Sequence, residues 1–215
     1  MDHIDLDALE AIPLTREPFE YLVVPGFIDS HLAAEARAGF PDIRSGGLVP
    51  AWERGLDSRL KRLLDGLNSD SVRLAFSRKF KVDLAPETLL VTLRGRCRFQ
   101  DGQIHTDSES KLITALIYLN EPWEAVGGRL RLLRSKDNIE DVIAEVPPTE
   151  GTLIAFRRSD HSFHGHKPYE GIRRVVMLNW MVDARAAQRE RLRHGVSALI
   201  KGFRPAVTIP TAAPE

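Results

Sequence analysis

Pro86 divides this chain into two patterns that require two kinds of structure. Before it, apolar residues recur at helical spacing. After it, they alternate or run in short blocks broken by turn residues. Leu56, Leu60, Leu63, Leu64 and Leu67 share one helical face, and Asn68-Ser-Asp70 supplies a turn with a good cap for a further helix. The expected helices are a stretch capped by Asp29 or Ser30 and running to about Gly39, then about 54–67 and about 69–80. Residues 19–24 read as a short strand stopped by Pro25-Gly26, residues 1–18 as an extended lead-in, and 41–50 as a loop. Beyond Pro86 the segments 88–94, 111–119, 129–133, 141–146, 152–156 and 174–182 read as strands. The segment 111–119 is apolar on both faces, as a strand buried on both sides is. Helices followed by short strands predict an α+β domain built on a β-sandwich or barrel. A charged segment from 184 to 194 reads as a helix closed by Gly195, and Pro205 and Pro210 leave an irregular tail.

At 215 residues the chain is long enough for one domain with a substantial core. We expect about 1–86 to be helical support, about 87–183 the β core, and 184–215 a C-terminal helix and tail. Thirty basic residues balance thirty acidic ones, which argues against a nucleic-acid binder that works by bulk phosphate neutralisation. The single cysteine, Cys97, excludes an internal disulfide framework and fits a reducing compartment. No apolar run approaches the ~20 residues of a membrane span, and the N-terminus lacks a signal-peptide pattern. The expected location is the cytoplasm, with no membrane partner.

The chemistry gathers in two places. His105-Thr-Asp107 follows a turn and precedes the apolar strand 111–119. In an extended segment residues i and i+2 point the same way, so both side chains can reach one metal. A His-x-Asp pair alone is weak evidence, and His3-Ile-Asp5 is a second copy without a partner motif. The second place follows the apolar run 152–156 and carries His161, His164 and His166, then Arg173 and Arg174 at the mouth of another apolar run. A histidine from here would complete a two-histidine, one-carboxylate facial triad, the geometry of non-haem iron(II) oxygenases. His164, flanked by Phe163 and Gly165, is the preferred third ligand; His161 is the alternative and His166 the least favoured. Arg174 lies ten residues after His164, which allows a turn through 167–171 and a return along the adjacent strand.

From about Leu89 to Val182 the chain resembles the 2-oxoglutarate/iron(II) dioxygenases of the prolyl 4-hydroxylase type. The resemblance rests on His105-Thr-Asp-Ser, Thr114-Ala-Leu-Ile-Tyr-Leu-Asn120, Trp123, Gly127-Gly-Arg-Leu, Gly151-Thr-Leu-Ile-Ala-Phe156, Ser162-Phe-His-Gly165 and Gly171-Ile-Arg-Arg-Val, in the family's order. It implies a double-stranded β-helix (jelly-roll, cupin-like) with the N-terminal helices packed against one sheet, and iron bound by His105, Asp107 and His164. It also implies that Arg174 grips the distal carboxylate of 2-oxoglutarate through a bidentate charge-assisted pair, aided by Tyr118, which could equally be a core tyrosine. Arg174 is preferred to Arg173 because Val176, Leu178 and Trp180 share its face and the family's basic residue stands six before a similar aromatic. The implied reaction uses O₂, releases succinate and CO₂, and leaves a hydroxyl on a substrate carbon. Asp107 argues against halogenation, since related halogenases lack that carboxylate.

For the substrate, Arg94, Arg96 and Arg98 alternate on one face leading into His105. Either they line the pocket and favour an anionic or strongly polar molecule, or they form a solvated strand edge, the reading ranked first. Gln103, Trp123 and Arg131 are further candidates for the rim. Gly95-Arg-Cys-Arg-Phe99 departs from the tyrosine-rich approach of prolyl hydroxylases. The expectation is therefore a small polar or anionic substrate, with a peptidyl hydroxylase or a non-catalytic cupin-like 2-oxoglutarate/metal module as alternatives.

Overall fold

The structure, a computed structural model, describes residues 4–44, 46–51 and 55–200, the side chains of 194–200 excepted. Four helices come from the first part of the chain: α1 (Leu6–Ala11), α2 (Ser30–Ala38), α3 (Ser58–Leu67) and α4 (Asp70–Phe80). Two short strands are interleaved with them, β1 (Tyr21–Val24) and β2 (Val49–Pro50). Then come β3 (Leu89–Cys97), β4 (Lys111–Tyr118), β5 (Leu130–Leu133), β6 (Val142–Val146), β7 (Leu153–Arg157), β8 (His164–Gly165) and β9 (Gly171–Met181), followed by α5 (Ala184–Ile200).

The helices begin where the sequence supplies an acceptor for their free N–H groups. The Asp57 carboxylate accepts from the Arg59 N–H, which is why α3 starts at Ser58 rather than at the expected 54; residue 54 itself lies outside the described residues. Ser69 caps α4 through the Val72 N–H, and Lys81 ends it in the left-handed region at φ 51°. The expected extended lead-in contains α1, capped by Asp5 through the Ala8 N–H at 2.7 Å. Asp5 of the second His-x-Asp pair is thus a capping residue; His3 lies outside the described residues. The helix expected to close at Gly195 continues to Ile200, and Pro205 and Pro210 lie outside the described residues.

The strands form two antiparallel sheets. The larger has the order β1-β7-β4-β9-β3-β2 and the smaller β6-β5-β8. Both faces of the larger sheet are covered, which explains why 111–119 shows no polar alternation. On its outer face Ile113, Ala115, Ile117, Val176, Leu178 and Trp180 pack against Leu60, Leu63, Phe76 and other helical residues, with the Phe76 and Trp180 rings 4.7 Å apart. On its inner face Leu116, Tyr118, Ile154, Phe156 and Val175 meet Leu130, Leu132 and Val146 of the smaller sheet. The result is the double-stranded β-helix, with helices against the outer face of one sheet.

Strand β9 begins at Gly171, three residues before the expected start, and β3 runs on to Cys97. Their pairing carries a register shift: Arg94 stands opposite Val175, but Arg96 stands opposite Ile172. One extra residue in a strand reverses the faces that follow it. Here the extra residue lies in β9, where Ile172 to Val175 spans three steps against two on β3, and it falls at Arg173 and Arg174.

Candidate metal centre and its cavity

The two histidines that face each other are joined through their backbones. The His105 N–H donates to the His164 carbonyl at 3.0 Å, and the His164 N–H returns the bond to His105 at 2.9 Å. This bridge extends the pairing of β8 with β5, in which His164 lies opposite Leu132. The imidazole rings stand 4.3 Å apart. Asp107, two residues beyond His105, turns its carboxylate into the same space. Among the described residues, His105, Asp107 and His164 form a group whose possible ligand atoms all lie within 4.8 Å of one another.

Protonation suits a metal. His105 Nδ1 is 2.8 Å from the Gln103 carbonyl and His164 Nδ1 is 2.9 Å from the Ser162 carbonyl. A carbonyl can only accept, so each Nδ1 carries a proton and Nε2 is the ring atom left to bind a metal. Burial pushes the His164 imidazole down to about 4, so it is neutral near pH 7. Burial alone would raise the Asp107 carboxyl, but the nearby Lys111 and His164 and the Lys111 and Thr114 hydrogen bonds hold it below the usual range. Lys111 Nζ is 2.7 Å from Oδ1 and the Thr114 hydroxyl 2.5 Å from Oδ2. Two imidazoles and one ionised carboxylate are the donor set of a non-haem iron(II) site.

His161 is exposed and outside this group. His166 lines the cavity but its Nδ1–H donates to the Lys167 carbonyl at 2.8 Å, and its Nε2 faces the Cys97 sulfur at 3.9 Å.

The cavity around the three residues has a volume of about 190 Å³. Its apolar wall includes Leu116, Leu130, Val175 and Met177, and its polar wall Arg94, Lys111 and Arg173. Here the expectation for Arg174 is corrected. Arg173, Val175 and Met177 face the cavity, whereas Arg174 shares the outer, helix-covered face with Val176, Leu178 and Trp180. The aromatic that argued for Arg174 marks the wrong face, because Trp180 packs on α4 rather than over the metal group. Arg173 is 3 % exposed. Its Nε donates to the Gly128 carbonyl at 2.7 Å and its Nη2 to the Tyr118 hydroxyl at 3.3 Å. The guanidinium carbon also sits 5.2 Å from the centre of the Tyr118 ring. Tyr118 is fully buried, and burial raises its hydroxyl pKa against the opposing influence of Arg173.

The candidate substrate residues divide. Arg94 lines the cavity, but its Nη2 is paired with Asp101 at 2.6 Å. Arg96 and Arg98 open instead into a separate surface pocket with Asp42 and Arg44, so the three arginines do not line one pocket. Gln103 is exposed, and its backbone carbonyl serves His105. Trp123 lies in a cleft on the other side of the sheet. Arg131 is buried on the outer face of the smaller sheet, bonded to Glu140 and Glu145 at 2.9 and 2.5 Å. That is an ion-pair network of the fold, away from the metal group.

Sequence reasoning did not single out Lys111, or give Arg173 its place in the cavity. The signal for Arg173 was strand parity. Asn179 lies on its face of β9, with the Asn179 side-chain oxygen 3.1 Å from the Thr114 hydroxyl. A face with polar residues at both ends differs from the uninterrupted apolar face that carries Trp180.

Residues 96–182 match the model of the 2OG-Fe(II) oxygenase superfamily. No curated protein matches the chain in sequence. Among solved structures, a Pseudomonas putida prolyl-4-hydroxylase superposes with a TM-score of 0.56 at 19% identity, covering 82% of this chain and 90% of that one. A viral collagen prolyl hydroxylase from Paramecium Bursaria Chlorella virus-1, in a 2OG complex, gives 0.52 at 16% identity, covering 76% and 96%. A Trichoplax adhaerens prolyl hydroxylase, in complex with a hypoxia inducible factor oxygen degradation domain peptide fragment, gives 0.50 at 16%, covering 86% and 90%. These likenesses establish the shared fold. The superfamily match spans the β-helix and the His105–Asp107–His164 group, whose donor types are those of an iron(II) site.

Proposed function

We propose, from a chain whose β-helix matches the 2OG-Fe(II) oxygenase superfamily, that it hydroxylates a C–H bond of a small polar or anionic molecule. The observation that carries this reading is Arg173. A guanidinium has five N–H donors, and the protein accepts from two of these groups, at Gly128 and Tyr118. A guanidinium 3 % exposed and otherwise without a partner among the described residues suits a carboxylate brought in from outside. In this reading Arg173 and Tyr118 hold the distal carboxylate of 2-oxoglutarate, and His105, Asp107 and His164 hold iron(II).

When bound, the metal supplies oxidative decarboxylation of 2-oxoglutarate by O₂, which delivers one oxygen atom to the substrate carbon with release of succinate and CO₂. The chain's residues do the rest. Leu116, Leu130, Val175 and Met177 give the cavity a dry wall, which protects a reactive centre from water. The Nδ1–H bonds of His105 and His164 fix each ring with Nε2 inward.

Charge supports an anionic substrate. The wall holds three cations, Arg94, Lys111 and Arg173, against the carboxylates of Asp101 and Asp107. A divalent metal and a doubly charged 2-oxoglutarate cancel each other and leave one positive charge in excess. The cavity is also below the roughly 300–1,000 Å³ of whole-ligand pockets, so in this reading the substrate presents only its reacting C–H to it. The solved relative with a bound peptide favours a second reading, a peptidyl hydroxylase.

The test is succinate release by the iron-loaded chain with O₂ and 2-oxoglutarate, against small carboxylates and phosphates on one side and proline-containing peptides on the other. Stimulation by small anions is expected. Stimulation by peptides alone would transfer the assignment to the peptidyl reading, and no succinate at all would leave a module that binds without turnover.

A further inference from the structure

Arg174, excluded from the metal cavity, opens on a second concavity. A cleft of about 700 Å³ lies between α2 and the segment joining β4 to β5, on the face of the larger sheet opposite the metal group. Arg174 is on its wall, with Arg37, Trp123, Tyr169 and Phe40. The size falls within the range of small-molecule sites.

The two arginines of the cleft differ in what they already hold. Arg37 is ion-paired with Glu121 and, at 3.0 Å, with Glu150. The Arg174 guanidinium makes no hydrogen bond and no ion pair among the described residues, although it is partly buried. Burial, then the charge of Arg37, pulls its pKa downward, and the more weakly acting charges of Glu121 and Asp42 only partly offset this, so a directly paired anion would be favourable here. The backbone beneath it is fixed. Asn120 Oδ1 accepts from the Arg174 N–H at 2.7 Å, and Asn120 Nδ2 donates to the Arg174 carbonyl at 3.0 Å. Asn120 is itself buried.

The aromatic wall is equally prepared. Trp123 and Tyr169 rings stand 4.6 Å apart at 56°. The Trp123 indole N–H donates to the Gly127 carbonyl at 2.9 Å, and the Tyr169 hydroxyl to the Ile172 carbonyl at 3.2 Å. With their polar atoms satisfied by the backbone, these rings offer a ligand only apolar surface.

We propose that this cleft is a second ligand site, for a small organic acid whose carboxylate pairs with Arg174 and whose aromatic or apolar body lies against Trp123 and Tyr169. The site is separate from the iron centre. The sheet stands between them, and neighbouring residues of one strand, Arg173 and Arg174, serve one each. Glu121, 76 % exposed at its side chain, pairs with Arg37 and leaves the Arg174 guanidinium without a direct ion pair.

Calorimetry on the full metal-free chain tests this, with phenylacetate as the acid, benzyl alcohol as its neutral counterpart, and inorganic phosphate as an oxyanion without an apolar body. Phenylacetate is expected to bind with a Kd of about 1 mM or tighter, and benzyl alcohol and phosphate far more weakly. Arg174→Gln is expected to weaken phenylacetate about tenfold or more, as loss of a charge-assisted pair does. Arg173→Gln is expected to leave it unchanged, which separates this site from the metal cavity. Arg174→Lys, which keeps the charge and loses the fork, should fall between. Equal binding of benzyl alcohol, no effect of Arg174→Gln, loss on Arg173→Gln, or no binding below about 10 mM would each overturn the proposal and leave Arg174 a solvated strand arginine.

Discussion

The Lys111 ammonium stands 2.7 Å from the Asp107 carboxylate inside the metal cavity, with Lys111 17 % and Asp107 9 % exposed at their side chains. The pair keeps Asp107 ionised, which a metal requires, yet places a positive charge beside the position of a divalent ion. Coulomb repulsion at such range in a partly desolvated site is worth on the order of a kcal/mol or more. Lys111→Met is therefore expected to tighten iron(II) binding without 2-oxoglutarate by about tenfold, or about 1.4 kcal/mol, with Thr114 still holding the carboxylate. Anaerobic competition against a chelator measures it. Weaker iron binding in this variant would show that Lys111 orients Asp107 more than it repels the metal.

Tyr118 and Arg173 give a graded prediction. Tyr118→Phe removes one hydroxyl but keeps the ring beneath the guanidinium, so 2-oxoglutarate should bind about 5–10-fold more weakly, the scale of one hydrogen bond. The fully buried position tolerates Phe without a cavity. A loss near that of removing Arg173 itself would mean that Tyr118 sets the arginine's position rather than adding one contact.

Acid should destabilise the metal-free chain in a defined window. Burial depresses His164 and, with Arg173 also opposing charge, His166, each to about 4 from 6.5. The unfolded state then binds more protons between those values, so stability rises with pH across the window and is lost as pH falls from about 6.5 towards 4. Each histidine contributes on the order of 1–2 kcal/mol to that loss at pH 5. Urea unfolding at pH 7 and pH 5 should show the decline, and His166→Asn should reduce it. An unchanged pH slope in that variant would contradict buried neutral His166.

The outer face of the sheet yields a stability prediction. Trp180 is fully buried against Phe76, and truncating such a ring leaves a cavity. Trp180→Ala should cost about 3–5 kcal/mol in denaturant unfolding. A cost near 1 kcal/mol would show that the helices are not anchored there.

Much of the fold was legible because its causes are local. Asp29, Asp57 and Ser69 are capping residues next to apolar periodicity, and the strands after Pro86 are bounded by turn residues. Helix α1 was not legible, since six residues with one buried side chain, Leu9, show no period. At the site, His105 and Asp107 could be paired from their spacing, but the face of each arginine could not. Arg94 and Arg96, two apart on one strand, open into different pockets, which no periodicity reveals. Arg174 was preferred because Trp180 shares its side, and that side holds the main core. Parity along a strand fixes which residues travel together, while only packing decides which side meets the metal.

The most direct test is an anaerobic titration with iron(II) and 2-oxoglutarate, read by the visible metal-to-ligand charge-transfer absorption, on the parent chain, His164→Ala, Arg173→Ala and Arg174→Ala. The account predicts a band in the parent, its loss in His164→Ala, and a requirement for at least about 100-fold more 2-oxoglutarate in Arg173→Ala, the scale of a buried charge-assisted pair. Arg174→Ala should titrate close to the parent. A parent that binds iron(II) without a band, or a 2-oxoglutarate requirement that follows Arg174 rather than Arg173, would contradict it.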